Sequence, residues 1–215
     1  VGYAIFAIFS VLALASFYVD GILTYSKCYI LGMLGFILAL AETAWIAACE
    51  QIQENAKVAT YARMAYTDMM TGLGNRAAFQ RDSAADASFG GALAYVMIDA
   101  NNLKVINDSM GHHRGDELLL QIAACLKRAL GQKMSGYRLG GDEFAVRLKD
   151  VSQMETEAFA EALRREIAAA DAQNELTISA AIGYAWTDCN PKDPEALLHQ
   201  ADNAMYEIKK QMKKQ

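Results

Sequence analysis

Hydrophobic positions along this chain fall into two regimes. Residues 1–49 are almost continuously apolar, and Asp20, Lys27 and Glu42 are their only charged side chains. Beyond residue 67 the apolar positions instead recur at periods near two and near 3.6. The first stretch, VGYAIFAIFSVLALASFYV, runs 19 residues without a charge, close to the length that crosses a hydrocarbon core. After the polar break DGILTYSK comes a second stretch of spanning length, CYILGMLGFILALAETAWIAAC, interrupted by Glu42. A carboxylate inside a bilayer is costly and faces a bundle interior or a polar cavity. We read 1–49 as a membrane region of two transmembrane helices arranged as a hairpin. A signal peptide would show a basic leader and a small-residue cleavage pattern, and neither is there; two buried helices of a soluble protein are the remaining alternative. Lys and Arg are too sparse on the flanks to orient the hairpin by charge.

Residues 50–66, EQIQENAKVATYARMAY, turn polar without a proline or glycine and predict a connecting helix. Ile52, Ala56, Ala59 and Arg63 or Met64 fall near heptad spacing, so a solvated connector and a short parallel coiled coil between two subunits both fit. From 67 onward, GALAYVMIDA reads as a strand buried on both faces. GDELLLQIAACLKRAL places Leu119, Ile122, Ala123, Leu126 and Leu130 on one helical face. YRL and EFAVRL flank Gly140-Gly141 as a hairpin. METEAFAEALRREIAAA is helical, LTISAAIGYAW strand-like, and PEALLHQADNAMYEIKKQM helical with a stripe of Leu198, Ala201, Met205, Ile208 and Met212. The order β, α, hairpin, α, β, α predicts an α+β domain with a central, mainly antiparallel sheet and flanking helices.

Composition changes this picture little. Hydrophobic residues make up 53%, slightly above an average soluble domain, and the excess sits in the first regime. The net charge of −5 gives no reason to expect a nucleic-acid polymer as partner. Cys28, Cys49, Cys125 and Cys189 have no metal-type or redox-type pairing and read as apolar fillers in a reducing compartment. A chain opening on Val1 reads as an N-terminally truncated piece of a longer protein.

Candidate chemistry gathers where strands end. Asp99 closes a buried strand, and Asp142-Glu143 occupy the hairpin. If those strands pair, three carboxylates converge and repel unless protonated or neutralised. Few, hard oxygen ligands suit Mg²⁺; solvated turn acids are the plain alternative. Asn107 and Asp116 bracket a loop with Gly111 and Gly115, and together could match the donor–acceptor edge of guanine. Alternatively Asp116 caps a helix starting near Glu117 and Asn107 satisfies a turn. His112 and His113 have no partner at metal spacing and read locally as loop residues. Lys209 and Lys213, one helical turn apart, could clamp phosphates with Lys104, or belong to a solvated face with Lys210 and Lys214.

Four blocks in this order carry a resemblance to the GGDEF diguanylate cyclase family. RLGGDEF looks like its signature, and TDMMTGLGNRAAF resembles its opening D-x-L-T-G-L-x-N-R-R. DANNLKVINDSMGHHRGD is similar to D-x-D-x-F-K-x-I-N-D-x-x-G-H-x-x-G-D, and ADNAMYEIKK to A-D-x-A-L-Y-x-A-K. The blocks run from residue 67 to about 213. The resemblance implies a polymerase-palm-like fold and condensation of two GTP into cyclic di-GMP and two pyrophosphates. Each site would hold one GTP, so catalysis would need a homodimer. By position, Asp99 and Asp142 would bind Mg²⁺, or Mn²⁺ in its place, with the Ala100 carbonyl and Glu143 assisting. Asp142 would serve as base for the attacking 3′-hydroxyl; Asn107 and Asp116 would read guanine, favouring GTP over ATP. His112 would join the substrate contacts, and Lys104, Lys209 and Lys213 would neutralise the triphosphate. Such a protein would sit in the bacterial inner membrane as a multi-pass protein, with residues 67–215 as a cytoplasmic catalytic domain.

The departures are specific. Asn101 replaces the second acid of D-x-D, Leu103 replaces Phe, and Lys213 stands where Arg is common. Ala77 and Ala181 also differ, in ways that read as structural. Gly131 to Met134, GQKM, occupy the place of an R-x-x-D product-inhibition site and carry neither of its charges. Two other classes compete with an active cyclase: a catalytically silent nucleotide-binding module, and a membrane protein with a degenerate cytosolic domain.

Overall fold

The computed structural model describes residues 7–12, 14–15, 18, 22–172, 176–188 and 193–214. The chain divides into two compact units, Val1–Tyr61 and Ala62–Gln215. Helix α1, Ile22–Tyr66, is a single helix of 45 residues, so the second apolar stretch and the polar connector are one element. The change from apolar to polar side chains alters the solvent that a helix suits, not its backbone, and no proline interrupts the segment. Within it, Ile30–Val58 is long and apolar enough to cross a membrane.

This corrects the expected pair of membrane helices. Among the described residues one helix qualifies, not two. Much of the first apolar stretch lies outside the described residues, as do Cys189 and the side chains of Cys28, Ala59 and Arg63. Residues 7–12 are helical, and Phe9 lies close against Gly32, where an added Cβ would meet the Phe9 Cβ at 2.5 Å.

In the second unit, strands β1 (Leu93–Ala100), β2 (Met134–Gly140), β3 (Glu143–Lys149) and β4 (Ala180–Thr187) form one sheet in the order β2-β3-β1-β4. Every pairing is antiparallel, as expected for an α+β domain. Helices α2 (Arg76–Ala84), α3 (Leu103–Met110), α4 (His112–Ala129), α5 (Gln153–Asp171) and α6 (Pro194–Met212) surround it. Strand β1 reads as an unbroken apolar run because both of its faces are covered. Ala94, Val96 and Ile98 pack with Ile122 and Leu126 of α4, and with Phe159 and Leu163 of α5. Leu93, Tyr95 and Met97 point the other way, to Phe79 of α2 and Leu197, Ala201 and Met205 of α6.

Two approaches set where the functional ends lie. Gly183 of β4 has no side chain to hold α6 off: an added Cβ would sit 2.0 Å from the Met205 backbone nitrogen. Helix α6 therefore packs backbone to sheet, one turn before Lys209. At its start, Asp193 caps α6 by accepting from the Glu195 and Ala196 amides, with Pro194 at the first turn. Away from that end, buried Asp86 accepts from Tyr95 Oη at 2.7 Å and from Arg147 Nε at 2.7 Å, tying the covering segment to the sheet.

Candidate active site

The register places Asp99, near the end of β1, opposite Glu143 on one side and Ala181 on the other. The hairpin between β2 and β3 turns on Gly140 at φ 140° and Gly141 at φ 55°, conformations that glycine adopts without a steric penalty. The Asp142 carbonyl accepts from the Ala100 amide at 2.9 Å, which locks the turn onto the end of β1. Arg138 braces it from beneath, donating from Nη2 to the Gly141 carbonyl at 2.9 Å while facing Asp68 at 3.5 Å. Asp68 is itself fixed by the Thr71 amide at 2.8 Å and hydroxyl at 2.6 Å. The opening block thus supports the signature turn.

The three acids share one end of the sheet, but their side chains divide. Asp99 Oδ2 accepts from Lys209 Nζ at 2.5 Å. Glu143 Oε2 lies 3.5 Å from Arg76 Nη2, and Arg76 Nε donates to the Leu139 carbonyl at 2.8 Å. Among the described residues, no three His, Cys, Asp or Glu side chains are grouped closely enough to hold a metal. Even so, the donor set fits a hard divalent cation. Asp99 is 6% exposed, and its Oδ1 is buried with no hydrogen-bond partner among the described residues. Burial pushes the Asp99 carboxyl above its ordinary range; the Asp142 charge pushes the same way, and the Lys209 and Lys213 cations pull back only in part. Positive charge at Oδ1 would relieve both effects, and carboxylates with a neighbouring carbonyl are ligands such a cation takes.

A pocket of about 330 Å³ opens beside these acids, lined by Asn101, Lys104, Asp142, Ser179, Lys209 and Lys213. A second, of about 480 Å³, shares Lys209 and Lys213 and is bordered by Asp99 and Glu143. Three lysines around an acid-lined end suit a polyphosphate carried with a cation. A larger cavity of about 620 Å³ lies between α2 and the start of α6, lined by Phe79, Tyr95, Leu139 and Leu198; it touches none of the acids or lysines singled out from sequence.

The expected base-reading pair lies on helices rather than in a loop. Asn107 belongs to α3, and α4 begins at His112, with Gly111 as its N-cap. Asp116 therefore stands a full turn inside α4 and is not its cap, and His112 and His113 are helical. The Asn107 amide rests on Gly115, where an added Cβ would fall 1.9 Å from Asn107 Oδ1, next to exposed Asp116. Lys104 and Asn107 are three residues apart on α3, so one helical face reaches both the lysine-lined pocket and the Asn107–Asp116 region. His112 is exposed at the start of α4.

Sequence reasoning gave Arg76 and Ser179 no role, and Met212 only a place in the apolar stripe of the last helix. The N-R dipeptide that follows Gly74 could have flagged Arg76. Ser179 and Met212 carry no local signal, because only the packing of β4 and α6 brings them to the pocket.

The signature described as "Diguanylate cyclase, GGDEF domain" matches residues 65–215. Diguanylate cyclase DgcN of Escherichia coli K12 is 39% identical over 170 residues, covering 75% of this chain and 41% of DgcN. The chain thus spans less than half the length of that relative. Among solved structures, the GGDEF domain of TpbB from Pseudomonas aeruginosa is 35% identical, with TM-score 0.59, covering 68% of this chain and 90% of that one. The coiled coil and GGDEF domain of DgcB from Caulobacter crescentus, at 23% identity, shares the fold with TM-score 0.69 over 80% of this chain and 94% of that one. The matched residues contain the sheet, the hairpin and all three lysines, and the chain belongs to the GGDEF-domain diguanylate cyclase family.

Proposed function

We propose that residues 67–215 are the catalytic domain of a diguanylate cyclase that condenses two GTP into cyclic di-GMP and two pyrophosphates. The observation that carries this reading is the buried Oδ1 of Asp99, without a hydrogen-bond partner among the described residues, beside the lysine-lined pocket. A related protein that is 39% identical bears the name diguanylate cyclase, which supports the same reading.

In this mechanism Asp99, Asp142 and the Ala100 carbonyl would hold Mg²⁺, or Mn²⁺ in its place, with Glu143, which here faces Arg76, assisting. When bound, the cation supplies charge neutralisation for the triphosphate and the departing pyrophosphate. Lys104, Lys209 and Lys213 hold the phosphates, and Asn107, Asp116 and His112 orient the guanine end. Asp142 accepts the proton of the 3′-hydroxyl; that oxygen bonds to the α-phosphorus of the facing GTP, and the bond to the β-phosphate oxygen breaks. Because each site holds one nucleotide, two subunits face each other and each supplies one half-reaction. Phosphoryl transfer of this kind needs positioning and electrostatics more than covalent catalysis.

The finer placement is part of the proposal: anchorage in the bacterial inner membrane by α1, with the catalytic domain on the cytoplasmic side. Residues 50–66 would connect the span to the catalytic domain. Incubating the purified chain with GTP and Mg²⁺ should yield cyclic di-GMP and pyrophosphate in a ratio of one to two. A dimeric preparation that releases neither would sink the proposal. Because Gly131 to Met134 lack an R-x-x-D site, added cyclic di-GMP should inhibit only weakly; tight non-competitive block would overturn that part.

A further inference from the structure

We propose that Asn101 and Ser179 form a latch that positions the nucleotide-binding loop between β1 and α3, a role that rests on the GTP-binding reading above. This loop carries the chain from Asp99 and Ala100, at the acid end, to Lys104 and Asn107 on α3. Its second residue, Asn102, has φ 62°, a left-handed conformation that asparagine adopts more readily than other side-chain-bearing residues. Asn101 ties this loop to the segment before β4. Its amide donates to the Ser179 carbonyl at 2.9 Å, and its side-chain Nδ2 donates to Ser179 Oγ at 3.3 Å. The same Nδ2 points to Met212 Sδ at 3.5 Å.

These contacts join the parts of the site that present the lysines. Ser179 immediately precedes β4, and Met212 ends α6 between Lys209 and Lys213. Asn101, Ser179 and Met212 all line the 330 Å³ pocket with Lys104, Lys209 and Lys213. The loop that sets Lys104 and the helix that sets Lys209 and Lys213 are thus held in register by one side chain. The residue type matters. A thioether accepts hydrogen bonds only weakly, and an amide can donate to Met212 Sδ where a carboxylate cannot. Asn101 also keeps a further negative charge away from Asp99 and Asp142. The departure from the family's D-x-D pattern is accordingly matched to this chain's own Met212.

The test measures equilibrium binding of GTP with Mg²⁺, and steady-state turnover, on the full chain. Asn101→Ala and Ser179→Ala should each raise Kd and KM for GTP about fivefold, the scale of one neutral hydrogen bond. kcat should stay within about twofold, because the latch positions and does not react. The double variant should be no weaker than Asn101→Ala alone, since Ser179→Ala removes only a contact that Asn101→Ala has already removed. Ser179→Thr, which keeps the hydroxyl, should restore binding. Unfolding midpoints identify any variant that fails to fold. Unchanged GTP affinity in both single variants, multiplied effects in the double variant, or no rescue by Ser179→Thr would overturn the latch. A wild-type chain that binds GTP without turnover would count against the cyclase reading alone, and the affinity ratios would still decide the latch.

Discussion

At Asp99 the two carboxylate oxygens have opposite surroundings: Oδ2 takes the Lys209 ammonium, and Oδ1 is buried without a partner among the described residues. Asp142 differs, since its main structural bond runs through its carbonyl to the Ala100 amide, and any residue at 142 keeps that. Asp142→Ala should therefore lower turnover by about a hundredfold to ten-thousandfold, the range for a lost general base, while leaving the unfolding midpoint unchanged. Turnover near the wild-type level would remove Asp142 from the mechanism. Asp86 makes the contrasting case of an acid serving the fold. Burial alone would raise its carboxyl, but hydrogen bonds from Arg147 and Tyr95 and the Arg147 charge outweigh burial and hold it below the ordinary range. Its folded-state pKa thus lies below its unfolded value, so its stabilisation is complete above the unfolded carboxylate range, about pH 4, and is lost as pH falls through the folded value. Asp86→Ala should cost about 3–5 kcal/mol near neutral pH, because Arg147 is left half-buried and unpaired, and should flatten the acid limb of stability against pH. Denaturant unfolding at several pH values checks both. Asp99, Asp142 and the lysines were legible in the sequence because they lie in contiguous motifs. Asp86 and Ser179 were not, because their partners are distant in sequence and meet only when the sheet is covered.

Between elements, close approach at glycines sets the distances that the site needs. Gly183→Ala would place a methyl group 2.0 Å from the Met205 nitrogen, and backbone at that distance must move. Helix α6 would lift from β4 and draw Lys209 away from Asp99. The expected outcome is a loss of about 1–3 kcal/mol of stability, the usual cost of overpacking, with turnover falling more than that loss explains. Unfolding and turnover measured on the same preparation separate the two effects; full turnover in a destabilised protein would show that α6 does not set the lysine. The strands and long helices were readable from periodicity, since β1, α4, α5 and α6 each bury a continuous face. Helices α2 and α3 were not. Each is under ten residues, too short for its period to stand out from the flanking loops, although α3 does lay Ile106 and Leu103 against the core. The start of α4 is hidden for a related reason: HHRGD offers no side-chain cap at its true N-terminus, where Gly111 stands instead.

For the whole molecule, the finding that the sequence pattern concealed is the continuity of α1. A switch from apolar to polar side chains looks like a boundary, yet the backbone carries on through 45 residues, about 68 Å at the rise of an α-helix. Ile30–Val58 accounts for about 43 Å of that length, more than the roughly 30 Å hydrocarbon core, and the helix continues to Tyr66 beyond it. A continuous helix transmits rotation as well as position. If α1 crosses a membrane and two copies must face each other for catalysis, as proposed, the rotation of α1 about its axis would bear on how the copies meet. Alanines inserted between Lys57 and Val58 test this, because alanine preserves the helix while each residue adds about 100° of rotation. Two alanines turn everything downstream by about 200° and should lower turnover at least tenfold in membranes, whereas seven return it to within about 20° and should restore most of it. Each variant is also assayed after detergent extraction at high protein concentration, where the domains can pair without α1 fixing their angle. Recovery of the two-alanine variant there would locate its defect in the helix and not in the catalytic domain. Equal turnover of the two insertions in membranes would show that α1 anchors the protein without aligning the pair.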